Sequence, residues 1–160
     1  MKRLAILLAL SLSVGLVACE SKDQVTTEVD IHSMSTDEAL VHLFSQYDPN
    51  LSMESFIDIV NTTGSMPFDL TYMEVSEGIL EGFGNTEISG FTKGIRFGPM
   101  IGSIPFIGYI LETESPEELE SILKTNADLR WLICDEADKT STSVNGNKIL
   151  FIMTKDNYSE

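Results

Sequence analysis

The first nineteen residues set the terms on which the rest of the chain can fold. Met1-Lys2-Arg3 is positively charged, Leu4 to Val17 is apolar apart from two serines, and Ala18-Cys19 comes directly after. A short cationic segment, an apolar stretch of about 7–15 residues and a small-residue cleavage site together make a secretory signal. The cations stay on the cytoplasmic side while the apolar stretch enters the export machinery. A spanning helix needs about 20 apolar residues, more than this segment offers. Residues 1–18 are therefore expected to be a signal peptide, removed on export, so that the domain must be built from the residues beyond it.

The tetrapeptide Leu16-Val17-Ala18-Cys19 resembles the lipobox of bacterial lipoproteins. The resemblance implies a diacylglyceryl group on the Cys19 thiol and cleavage after Ala18. Two acyl chains hold a protein stably at a bilayer where one does not. The expected location is thus extracytoplasmic, with the membrane as partner through lipid on Cys19. Glu20 stands where an aspartate would mark retention at an inner membrane, so a two-membrane host would be free to sort the protein outward. The only other cysteine is Cys134. With Cys19 lipidated, the domain has no internal disulfide and stands on packing alone. Cys134 closes the segment Leu129-Arg130-Trp131-Leu132-Ile133-Cys134, an apolar setting that predicts a buried, inert thiol.

Removing residues 1–18 takes away Lys2 and Arg3 but no acid, so the formal charge moves from −15 to −17, with 8 basic against 25 acidic side chains. Nucleic acid and anionic lipid head groups reward clusters of Lys and Arg, so a surface this acidic argues against both as partners. It keeps the protein soluble and favours cationic partners. The remaining length suits one domain with a single core.

Residues 20–34 are polar without a period and read, with Cys19, as a tether over 19–34. Residues 35–160 read as the domain. Ser35 and Glu38 have capping-box spacing, and Leu40, Leu43, Phe44 and Tyr47 form one helical face ended by Asp48-Pro49-Asn50. A second helix starts near Ser52, with Met53, Phe56, Ile57 and Val60 inward and Gly64 as its stop. Pro67 to Val75 reads as extended, Ser76–Glu81 as a short helical turn broken by Gly82-Phe83-Gly84-Asn85. Gly90, Gly94, Gly98 and Gly102 recur at every fourth position. Charged Lys93 and Arg96, with Pro99 and Pro105, argue against a membrane-type helix pair there, so 92–102 is expected to be a loop or short helix leading into a buried strand over about 104–113. Ser115-Pro116-Glu117-Glu118 predicts a helix start with an N-cap serine, proline at N1 and a capping box. Lys139–Val144 and Asn147–Thr154 flank Asn145-Gly146, the signal for a hairpin with a type I′ turn. The expected fold is α+β: two layers, with a mostly antiparallel sheet of three or four strands, helices packed on it and a C-terminal hairpin.

No catalytic constellation emerges. His32 falls in the tether and His42 off the apolar face of the first helix, and there is no Gly-x-Ser-x-Gly elbow. A Cys134–His42 dyad stays open as a minor alternative, without support from sequence spacing. Cysteine and histidine are too few for a zinc site. Asp135-Glu136-Ala137-Asp138 lacks the spacing of a calcium loop and reads as a solvated turn. Gly82-Phe83-Gly84 lacks the third glycine of a dinucleotide loop. Glu112 and Glu114 read as a charged strand end. No cofactor or metal is expected. The candidate binding residues are Arg96, Arg130 and Trp131: an exposed Arg-Trp step can anchor a partner, while a buried Trp131 would close the core.

Gly98-Pro99-Met100, Asn126 leading to Arg130-Trp131 and Ile133-Cys134, and Asn145-Gly146-Asn147 with Ile149-x-x-Ile152-Met153 resemble a family of clostridial-type Firmicutes lipoproteins built on a domain of unknown function. The likeness spans about residues 95–155 and departs at Ala127-Asp128-Leu129, where the family favours a proline. It implies export, a lipid anchor and an α+β fold, and it brings no activity. The leading expectation is a membrane-anchored, non-catalytic binding module for a cell-surface protein or small ligand. The alternatives are an exported enzyme using Cys134 or a carboxylate site, and an acidic binder of small ligands or cations using the Gly-rich segment.

Overall fold

The computed structural model describes residues 30–156 and 158. Ala18, Cys19 and residues 20–29 of the expected tether lie outside the described residues. Ile31–Ser33 form a single 3-10 turn, with the Asp30 carboxylate accepting from the His32 N–H at 3.0 Å.

Helices α1 (Thr36–Gln46) and α2 (Met53–Thr63) form where the caps and spacing place them. The Glu38 carboxylate reaches back to the Ser35 N–H (3.0 Å), and Ser52 Oγ accepts from the Ser55 N–H (3.3 Å). Gly64, at φ 63°, ends α2 in the left-handed conformation that glycine adopts without strain. Strand β1 (Leu70–Val75) is followed by the short pair β2 (Gly78–Ile79) and β3 (Glu87–Ile88), which pair antiparallel with each other. Then come β4 (Lys93–Pro99), β5 (Ile107–Glu112), α3 (Pro116–Asn126), β6 (Lys139–Asn145) and β7 (Lys148–Thr154).

The main sheet has the order β1-β4-β5-β7-β6, antiparallel throughout. The class is α+β with a C-terminal hairpin. Strands β5 and β7 are interior, which is why Ile107–Leu111 and Ile149–Met153 are apolar at nearly every position: side chains alternate between two covered faces. On one face Ile95, Phe97, Ile110, Leu150 and Ile152 meet Leu40, Phe44, Phe56, Ile57 and Val60 of α1 and α2. On the other, Tyr109, Leu111, Ile149, Phe151 and Met153 meet Leu119 and Leu123 of α3, with Leu80, Phe83, Ile88 and Phe91 from the β2–β3 excursion. The face that a two-layer packing leaves open is thus covered by α3 and that excursion. Burying each such side chain stabilises by roughly 1.5–3 kcal/mol before entropy is counted.

Four local expectations are corrected. Residues 93–99 are a full strand, not a loop or helix, and this raises the sheet to five strands. The glycine period of four is a multiple of the strand period of two, so Gly94, Gly98 and Arg96 share one face. A Cβ on Gly94 would come within 2.5 Å of Leu111 Cδ2, and one on Gly108 within 2.1 Å of the Phe97 ring that lies over it. The 76–81 segment holds β2, not a helical turn. Ser115 makes no side-chain cap; Thr113 Oγ1 accepts from the Ser115 N–H instead (3.1 Å). In the hairpin Asn145 pairs with Lys148, and only Gly146 has positive φ (62°). That is glycine at the first central position, as a type II′ turn uses it, and excludes type I′.

Candidate functional site

The strands run between two ends, and the loops sort accordingly. One end, here the entry end, holds the 100–106 and 127–138 loops, the start of β6 and the last described residues. The opposite end holds the 89–92 turn, the 112–115 connection, Pro49 and the β6–β7 turn.

At the entry end Asp37, in the first turn of α1, binds Lys139 Nζ (2.9 Å) and accepts from Ser141 Oγ (2.6 Å). Lys139 also binds Asp156 (2.7 Å), and the Asp156 N–H donates to Asp138 (3.0 Å). Burial raises the Asp37 carboxyl, but hydrogen bonds from Ser141, Lys139 and Ser35 outweigh it and hold the group below the ordinary carboxylate range. The two carboxylates keep the Lys139 ammonium strongly protonated. Lys155 reaches Asp135 at 2.5 Å. The acids of the 135–138 segment are therefore engaged in ion pairs and backbone contacts. Among the described residues, no group of three His, Cys, Asp or Glu side chains is arranged to hold a metal ion.

The sequence-derived candidates fall in different places. Arg130 is exposed and pairs with Glu136 at 3.1 Å. Trp131 is half-buried against the α3-side core, so it is neither a free anchor nor a closed core residue. Arg96 lies on the α3 face of β4 and binds Glu81 at 2.7 Å, while the Tyr109 hydroxyl donates to the Glu81 carbonyl at 2.7 Å. Arg96 thus pins the 80–84 loop and is set apart from Arg130 in role. Cys134 is exposed, which corrects the expectation of a buried thiol. The loop carrying it is lined by Arg130, Leu132, Ile133, Asp135 and Glu136, with no histidine, while His42 bonds Gln46 on α1 at 3.2 Å. The Cys134–His42 pairing is not assembled.

At the opposite end the fold makes a cleft of about 390 Å³ between the 89–92 turn and the first turns of α3. Phe91, Leu119 and Ile122 supply its apolar surface, and Glu77, Glu114 and Glu118 its charge. The turn is fixed from both sides. Glu77 Oε1 accepts from the Gly90 N–H (2.6 Å) and the Phe91 N–H (3.3 Å), and Thr113 Oγ1 donates to the Gly90 carbonyl (2.6 Å). Gly90 sits at φ 96°, a conformation closed to most side chains. Carboxylates over a rigid apolar floor suit a ligand with a cationic group on an apolar body. Glu112 and Glu114 pair up in the sequence as a charged strand end, but in the fold the two part company: Glu112 lies in register between Lys93 and Lys148. Glu77 and Glu118 carried no signal, because only the β2–β3 excursion across the sheet brings them together.

Among the described residues no helix is long and apolar enough to cross a membrane. No protein-family model, no curated protein and no solved structure matches this chain.

Proposed function

We propose that this protein is an extracytoplasmic binding module, lipid-anchored through Cys19 and without catalysis of its own, that takes a cationic ligand with an apolar portion. The lipobox-like Leu16-Val17-Ala18-Cys19 supports the address, as does the likeness to Firmicutes lipoproteins. The observation that carries the binding reading is the cleft beside α3, where Glu77, Glu114 and Glu118 surround Phe91, Leu119 and Ile122. The formal charge of −17 left after residues 1–18 are removed draws cations toward the protein as a whole.

The test is calorimetric titration of the protein with alkylammonium ions of increasing chain length. Saturable binding should strengthen with each added methylene and weaken about tenfold in the Glu114→Gln/Glu118→Gln double variant, an effect of about 1.4 kcal/mol. Binding that is non-saturable, or equally tight in the double variant, sinks the assignment. Glu77 is left intact because its carboxylate holds the 89–92 turn.

A further inference from the structure

We infer that the entry end of the domain is a bilayer-contacting face, with Met100, Ile101 and Ile133 seated in the lipid surface to which the anchor leads. The inference rests on the lipid-anchor reading of Cys19. Three observations carry it. The first is apolar exposure that no part of the described chain covers: Met100 is 83 %, Ile101 65 % and Ile133 102 % exposed. The two segments meet, since Gly102 and Ser103 line one cleft of about 450 Å³ with Trp131, Leu132, Ile133 and Cys134.

The second is where the chain enters. Eleven peptide steps separate Cys19 from Asp30, a reach of at most about 40 Å even when fully extended. The described chain then passes through Ile31–Ser33 into α1, whose Asp37 is tied to Lys139 and, through it, to Asp156. Lys139 begins the strand that the 127–138 loop feeds, and Lys155 is paired with Asp135, two residues from Ile133. The start of the described chain and the apolar loops therefore belong to one end of the sheet.

The third is charge. Four acids beside the apolar loops are matched by cations, Asp37 and Asp156 by Lys139, Asp135 by Lys155 and Glu136 by Arg130, while Asp128 and Asp138 accept backbone N–H groups. At the opposite end Glu54, Glu74, Glu77, Glu114, Glu117 and Glu118 form no ion pair with a described residue. An orientation with the entry end down keeps those carboxylates, which no cation neutralises, away from head groups. Contact is then through apolar insertion, not attraction to anionic lipid. The acid-bearing cleft beside α3 faces outward.

Trp131, the only tryptophan, lies beside the patch and reports on it. The full chain, lipidated in a bacterial host, is reconstituted into phosphatidylcholine vesicles brominated on the acyl chains. Side chains seated at the head-group/acyl boundary lie about 5–10 Å deep, so about a twofold loss of Trp131 emission is expected. The loss should not grow when phosphatidylglycerol is added. The Met100→Asp/Ile133→Asp variant should restore emission while flotation with the vesicles and Tm stay unchanged, because neither side chain packs in the core.

A chain that carries diacylglycerol on Cys19 and floats, yet shows unquenched Trp131, overturns the inference and leaves the anchor standing. If Cys134 thiols then cross-link between molecules on the vesicle, the face belongs to a second copy of the chain, and the inference is equally overturned. A chain without lipid on Cys19 that fails to float removes the anchor and the inference together, and mass and flotation identify that case.

Discussion

The two ends of the sheet handle charge and apolar surface in opposite ways. At the entry end the 100–106 and 127–138 loops expose Met100, Ile101 and Ile133, while Asp37, Asp156, Asp135 and Glu136 are held by Lys139, Lys155 and Arg130. At the other end the apolar groups Phe91, Leu119 and Ile122 are drawn into a cleft, Glu77 holds the turn beside it, and Glu114 and Glu118 line it without an ion pair to a described residue. The same composition thus gives two surfaces of different chemistry. Where cations are scarce, as in this chain, placing them decides which acids stabilise the fold and which remain available.

That contrast can be broken or sharpened by substitution, beginning with the sheet that both ends share. Phe97 is fully buried, lies over Gly108 and meets Phe106 at a tilt, with ring centroids 5.9 Å apart. Phe97→Ala should destabilise by about 3–5 kcal/mol in chemical denaturation, more than a single polar change at either end. A smaller loss would mean that the α1–α2 face of the sheet closes around the missing ring more readily than its packing indicates.

The next effect belongs to the entry end alone. Asp37→Asn leaves Lys139 with Asp156 only and weakens the bond to Ser141, so a loss of about 1–3 kcal/mol at neutral pH is expected. The Asp37 carboxyl is depressed in the folded state from an ordinary value of 3.8. Its contribution is therefore fully present above that value and disappears as pH falls through the lower folded value. Urea denaturation of both proteins from pH 7 to pH 2.5 should show the gap closing only at the acid end of the series. A gap independent of pH would mean that geometry, not charge, carries the interaction.

The smallest effect is expected at the cleft. Glu114→Gln/Glu118→Gln should change stability by no more than about 0.5 kcal/mol, with relief of like-charge crowding if anything favouring the variant. Thermal melts at low and high salt measure this. A large loss would show that these carboxylates support the fold, which would weaken their assignment to a ligand.

Much of the frame was legible along the chain. The spacing of Leu40, Leu43, Phe44 and Tyr47, the cap at Ser52 and the Ser115-Pro116 start located the helices, because these are local preferences of the backbone. The doubly apolar runs in β5 and β7 marked interior strands. Strand β4 was hidden: Gly94, Gly98 and Pro99 within seven residues oppose strand propensity. It is a strand because β1 and β5 pair with it on both sides and because Phe97 needs Gly108 beneath its ring. Of the candidate site residues, Arg130 and Trp131 were visible as a step but Arg96 could not be told from a surface charge, since its partner Glu81 and the neighbouring Tyr109 hydroxyl come from other strands and loops. Cys134 looked buried because Leu132 and Ile133 precede it. The backbone leaves the sheet after α3, so those apolar residues lie on a loop with no second layer to cover them.

The sequence alone determined the helices, two of the three interior strands and the hairpin, and it carries the N-terminal segment from which export and the anchor are proposed. Periodicity, caps and glycine turns act over a few residues and need no distant partner. Tertiary structure decided the fifth strand, the coverage of both sheet faces and the exposure of Cys134. It also decided which acids are paired and which surround the cleft. Each of these depends on residues far apart in the chain, such as Asp37 with Lys139 or Glu77 with Glu118, and local pattern holds no record of which distant group arrives.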